Sequence, residues 1–247
     1  MTYSINELLA QKESLSKDFC LSNEKRINEI KLKIEQNISF QIKLAIEDTR
    51  IISNPRFLDA LQLIDRATKI NITCIELVQN LNFIEPTILT RNILELCTTA
   101  IAISKDDSKY KDFLTNKRFK SSKTIGVAEL YIPEIGIIWG ELSNFLIHIN
   151  SSIHGAEKTL SEDSKFIQTK YSSTALETGI PENLVEPLLD HLELIADLIQ
   201  YSIAIIFFQK ETYKGIEGYL ISPNGFLFGD TAEKKFKRLY KKIYLNS

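Results

Sequence analysis

Glycine and proline are scarce, nine and six in 247 residues. These two residues punctuate turns and interrupt regular structure, so their scarcity leaves long unbroken segments. Within those segments apolar residues recur at three- and four-residue steps rather than in alternation, which argues for helices. Cysteine is also rare. Cys20, Cys74 and Cys97 are far apart, odd in number and form no CxxC pair, so neither a disulfide framework nor a zinc ribbon is implied. They are expected to be reduced core thiols.

Long hydrophobic runs are missing as well. The longest, LIQYSIAIIFF at 198–208, is broken by Gln200 and falls well short of the roughly 20 residues a bilayer span requires. The opening MTYSINELLAQKESLSKDF has no basic segment followed by an apolar run, so it does not read as a secretory signal. We expect a cytoplasmic protein without membrane contact. Neither sign of charge dominates, the formal net charge being -2, so any electrostatic site must be local. GxxxxGK[ST], GxGxxG and GxSxG are all absent, which leaves P-loop, dinucleotide and α/β-hydrolase chemistry without support. No cofactor and no metal site are expected.

What is present is ordinary globular composition, 44% hydrophobic and 25% charged. The expected fold is all-α: one domain, residues 1–247, built as a multi-helix bundle with one small β-hairpin near the carboxyl end. Residues 1–54 would form an N-terminal helical arm, with Ile27, Ile30, Ile34 and Ile38 on one face. Residues 55–212 would be the helical core. Asn54-Pro55 opens a long helix to about Leu81. Glu85-Pro86 starts a central apolar helix, TILTRNILELCTTAIAIS, and Pro133 starts another. Residues 156–180 dissolve into a polar loop, and Pro181 opens the most apolar helix, to about Lys210. In residues 213–247, YKGIEGYLISPNGFLFGD places apolar runs on either side of Pro-Asn-Gly, a hairpin signal, before a basic C-terminal helix.

Two of the three histidines fall in ELSNFLIHINSSIHG, residues 141–155. On this helix Ile135, Ile138, Trp139, Leu142, Phe145, Leu146, Ile149 and Ile153 share one arc, the core face. The other side is polar but uncharged, and Gly136, Gly140 and Ser143 on it would let another backbone approach. His148 and His154 are six residues apart and so about 120° apart on a helix, which rules out an intrahelical metal pair. His154 beside Gly155 reads as a helix-end residue favoured by the dipole, and His148 as either an interior histidine or a functional base. On the central helix, Arg91, Glu95 and Thr98 form a polar line. They are either a buried network fixing helix register or, with His148, a site spanning two helices.

The motifs TRNILEL and, some 50 residues later, ELSNFLIH resemble the HEPN superfamily of bacterial helical bundles (higher eukaryotes and prokaryotes nucleotide-binding) over Pro86–Gly155, under a third of the chain. Many members are metal-independent ribonucleases of toxin and antiviral systems that act as dimers, and others bind without catalysis. The resemblance implies a defence or toxin-type component that binds or cleaves RNA. His148 would then be the base, Arg91 the phosphate ligand and Glu95 its orienting partner. Catalytic members carry the arginine upstream of the histidine on one helix, and here Arg91 lies on another helix. The alternative is a non-catalytic helical interaction or scaffold module, with the 156–180 loop meeting a protein partner.

Basic residues are concentrated, 13 of 30 Lys and Arg falling in residues 105–123 and 231–247. Lys117, Arg118, Lys120, Lys234, Lys235, Lys237 and Arg238 are the candidate RNA contacts, interleaved with Phe113, Phe119, Phe236, Tyr240 and Tyr244 as a stacking surface would be. The competing reading of the last segment is a helix docked by an apolar stripe of Phe236, Leu239, Tyr240 and Ile243, with its lysines in solvent.

Overall fold

The computed structural model describes residues 5–82, 84–115, 122–143, 182–213, 216–220 and 228–245. They form α1 (Ile5–Ser22), α2 (Glu24–Glu47), α3 (Thr49–Ser53), α4 (Pro55–Gln79), α5 (Ile84–Lys105), α6 (Asp107–Thr115) and α7 (Ser122–Glu129). Helix α8 covers 135–143, and α9 runs Glu182–Phe207. The strands β1 (Gln209–Tyr213) and β2 (Ile216–Leu220) and then α10 (Phe228–Tyr244) complete the order. The architecture is all-α apart from that two-stranded ladder, and no helix among the described residues is long and apolar enough to cross a membrane.

The corners follow from local chemistry. Asp48 accepts from Arg50 N at 2.9 Å and caps α3. Asn54 accepts from Arg56 N at 3.2 Å and caps α4, with Pro55 in the first turn, where its missing N–H costs nothing. These two caps turn the chain back, so that α2 and α4 pack together. Pro133 sits in a turn rather than inside a helix, and α8 begins two residues later.

One core joins all these helices. α9 lies at its centre and packs against α2, α4, α5 and α10. From Leu192 to Phe207 every α9 side chain is buried. α5 adds Ile93, Leu94, Cys97, Ala100 and Ile101, and α8 adds Ile135, Ile138 and Leu142. α2 contributes Ile27, Ile30, Ile34 and Leu44. Ile27, Ile30 and Ile34 are the face expected from the sequence, and they leave water by joining the central bundle. Cys74 and Cys97 are buried, and burial pushes both thiols up to about 12, where no useful thiolate forms.

The hairpin is corrected in place. β1 and β2 are antiparallel with Gln209 opposite Leu220 and Tyr213 opposite Ile216, so the ladder lies before the Pro-Asn-Gly motif rather than around it. Pro223, in the motif that suggested a hairpin, has no N–H to give a ladder, and residues 221–227 lie outside the described residues. The apolar run to Lys210 stops as helix at Phe207 because Gln209 already pairs in β1. The loop 156–180 lies outside the described residues too.

At the end of α4, Leu81 has φ 62°, in the left-handed region where glycine is usual. Leu81 N donates to Val78 O and Asn82 N to Leu77 O, both at 2.9 Å, the double bond of a Schellman ending. The leucine side chain packs on the core, which offsets the strained backbone. Shortening the side chain removes that compensation. Leu81→Gly is therefore expected to be more stable than Leu81→Ala by about 1 kcal/mol, the reverse of their order inside a helix, as urea denaturation would measure.

Candidate functional site

The polar line on α5 divides. Thr98 is fully buried; its hydroxyl lies 3.1 Å from Glu95 O and 3.2 Å from Thr124 Oγ1, tying α5 to α7. Arg91 and Glu95 reach the surface, their side chains 34% and 31% exposed. The Arg91 Nε to Glu95 Oε1 separation is 3.5 Å, a loose ion pair. The guanidinium also lies over the Trp139 ring of α8, 4.6 Å from its centroid. An arginine held by an aromatic face keeps its N–H groups free at the rim, which suits it to a planar anion such as phosphate.

His148, His154, Lys117, Arg118 and Lys120 lie outside the described residues. The small-residue face of α8 is not met by another backbone among the described residues. A side chain at Gly136 would run into the Glu129 carboxylate, and Gly140 faces open space.

In α10, Ala232, Phe236, Leu239 and Tyr240 are buried, with Phe236 against Tyr201, ring centroids 5.6 Å apart. Phe236 and Tyr240 are thus withdrawn from any stacking surface, because docking the helix needs them. Lys237 pairs with Glu233 at 2.7 Å. Lys235 lies within electrostatic reach of Asp197. Lys234 and Arg238 are exposed, and with exposed Lys241 they repeat at four- and three-residue steps. These three make no ion pair among the described residues and present one cationic stripe to solvent.

The strongest charged constellation lies where sequence reading did not look. Asp190, Glu193 and Asp197 project from one side of α9 at i, i+3 and i+7. Arg26 of α2 pairs with Asp190 and, at 2.7 Å, with Glu193. Lys33 bridges Glu193 and Asp197, each at 2.7 Å. Lys242 of α10 closes on Asp190 at 2.8 Å. The signal was available, since three carboxylates on one line of an otherwise apolar helix demand partners. The third histidine, His191, belongs here: its Nδ1 is 2.7 Å from Pro187 O, and its Nε2 is 3.3 Å from the Tyr244 hydroxyl. Among the described residues, no three His, Cys, Asp or Glu side chains are grouped to hold a metal ion.

No family model, curated protein or solved structure matches the chain. The geometry alone therefore carries the reading. The α9 network has three carboxylates answered by three cations, the pattern of helices held in register. The Arg91–Trp139 pair is half-exposed and only loosely neutralised, the pattern of a group able to take a ligand.

Burial, the largest influence, raises the Asp197 carboxyl above its ordinary value of 3.8, and Lys33 works against that rise. Lys33→Met leaves two buried carboxylates short of a cation and is expected to cost about 3 kcal/mol at pH 7. An acid whose folded pKa is raised binds its proton more tightly in the folded state, so lowering the pH toward 3.8 favours folding. The deficit of Lys33→Met against the wild type should therefore shrink from pH 7 to pH 4.5, read by urea denaturation at each pH; a constant deficit would contradict the ionic account.

Proposed function

We propose that the chain is a HEPN-like RNA-binding protein that cleaves RNA without metal, as a component of a bacterial defence or toxin system acting as a homodimer. The observation that carries the reading is Arg91, a partly exposed guanidinium seated on Trp139 and restrained by Glu95. In this reading Arg91 meets the scissile phosphate, where its charge is most effective as negative charge builds on the non-bridging oxygens. His148, nine residues beyond Trp139 in sequence, takes the proton of the 2'-hydroxyl, whose oxygen bonds to phosphorus to give a 2',3'-cyclic phosphate as the bond to the 5'-oxygen breaks and that oxygen leaves with a proton from water. Glu95 keeps the guanidinium turned toward the substrate. The exposed stripe of Lys234, Arg238 and Lys241 supports the reading by offering further phosphate contacts, and Lys117, Arg118 and Lys120 extend the same proposal.

A second reading is favoured by the α9 network, in which this chain uses ion pairs as ties between helices. By analogy Arg91, Glu95 and Trp139 tie α5 to α8, and the protein is a non-catalytic interaction module whose 156–180 segment meets a partner.

The test is cleavage and binding of a mixed RNA pool in EDTA. On the first reading wild-type protein cleaves, Arg91→Ala and His148→Ala lose about a hundredfold or more while remaining folded by circular dichroism, and Lys234→Ala/Arg238→Ala weakens binding across all sequences. Neither cleavage nor binding by the wild type leaves the interaction module standing.

A further inference from the structure

At the end of the bundle where α5 and α9 stop, three cations gather. Arg50 donates to Phe207 O, the last residue of α9, and pairs with Asp48. Arg56 donates through Nε to Ile103 O, near the end of α5, and pairs through Nη1 with Asp107 at 2.6 Å. Lys105 is the last residue of α5. Each cation lies over an aromatic ring: Arg50 over Phe57 at 5.2 Å, Arg56 over Tyr110 at 6.0 Å, and Lys105 over Tyr131 at 5.8 Å.

The arginines have a structural reason to be there, because they satisfy carbonyls that helix ends leave without partners. Lys105 has none. It makes no ion pair among the described residues, and the nearby carboxylates are committed elsewhere. Asp48 holds Arg50 and Asp107 holds Arg56; Asp106 caps α6 through Ser108 and Lys109, and Asp59 takes the Tyr110 hydroxyl at 2.9 Å. Burial, and then the charges of Arg50 and Arg56, hold the Lys105 ammonium below its ordinary value of 10.5. An uncharged side chain would cover Tyr131 without that repulsion. Three cations at one end of the bundle, one of them without a carboxylate partner among the described residues, are the charge arrangement an anion site needs.

We propose that Arg50, Arg56 and Lys105 form a binding site for a phosphate group, with Lys105 contributing the charge that no carboxylate among the described residues answers. The phosphate belongs to a free phosphate or to a nucleotide. In the second case the Tyr131 ring, 39% exposed beside Lys105, is placed to meet the base. The site stands apart from Arg91, fourteen residues earlier on α5 and so about 21 Å away along the helix, and does not depend on the function proposed above.

The experiment is thermal unfolding of the full chain in phosphate-free buffer, titrated with pyrophosphate or adenosine diphosphate and compared with sodium chloride at equal ionic strength. Pyrophosphate should raise Tm beyond the chloride control. The shift should survive in Arg91→Ala and Lys105→Arg and weaken by about tenfold in apparent affinity in Lys105→Met, which keeps the stem on Tyr131. Lys105→Met without added anion should be at least as stable as the wild type, because it removes an opposed charge. Equal half-saturation by the two ligands supports the phosphate group alone as the ligand, and tighter binding of the nucleoside diphosphate supports a nucleotide. A Tm shift no larger than that given by chloride, or one unchanged in Lys105→Met, overturns the proposal.

Discussion

A helix surrounded on every side by other helices cannot leave a charge unpaired, and this constraint on α9 organises the protein. Its aliphatic residues fill the centre of the core, yet Asp190, Glu193 and Asp197 sit on it, two of them almost without contact with water. Each would cost several kcal/mol if left uncompensated. Arg26 and Lys33 from α2 and Lys242 from α10 answer them, and since the carboxylates are spaced one turn apart, the cations must be in step as well. The apolar contacts would tolerate a slide of one helix past another far better than the ion pairs do. Hydrophobic burial thus brings α2, α9 and α10 together, and the ionic ladder fixes their register.

The same logic separates the two places on α5 where charge is not fully answered. Arg91, with Glu95 at 3.5 Å and a tryptophan face, is nearly balanced and partly solvated. Lys105, with two arginines and a tyrosine ring beside it, has no carboxylate partner among the described residues. A half-satisfied group at a surface is available to a ligand in a way that the α9 network is not, because a ligand reaching Asp197 would first have to displace Lys33. Exposure and residual charge together, rather than the presence of charged residues, distinguish a candidate site from a structural tie.

Much of the helical order was legible in the sequence because its signals are local. Asn54-Pro55 marked the start of α4, the aliphatic steps of α2 marked its buried face, and the apolar stripe of Phe236, Leu239 and Tyr240 marked how α10 docks. The misreadings involve choices that local pattern does not make. Pro-Asn-Gly offers a turn, but where a ladder forms depends on what the flanking residues can pair with. Leu81 shows no glycine to mark the left-handed ending of α4; the helix ends there because core packing of the leucine outweighs the strain.

For the candidate sites the lesson concerns which rarity to weigh. The scarce histidines drew attention to residues 141–155, whereas the commoner carboxylates on α9 carried the firmer physical implication. A histidine can be neutral, charged, buried or exposed at little cost, so its rarity constrains its role weakly. An aspartate on the apolar side of a long helix has few inexpensive states: it must be paired, protonated or turned toward water. Asp197 takes the first of these, paired with Lys33, while burial raises its pKa against that pairing. The opposite imbalance, Lys105 among arginines, could not be foreseen, because Arg50, Arg56 and Lys105 come from three helices whose ends meet only in the folded bundle.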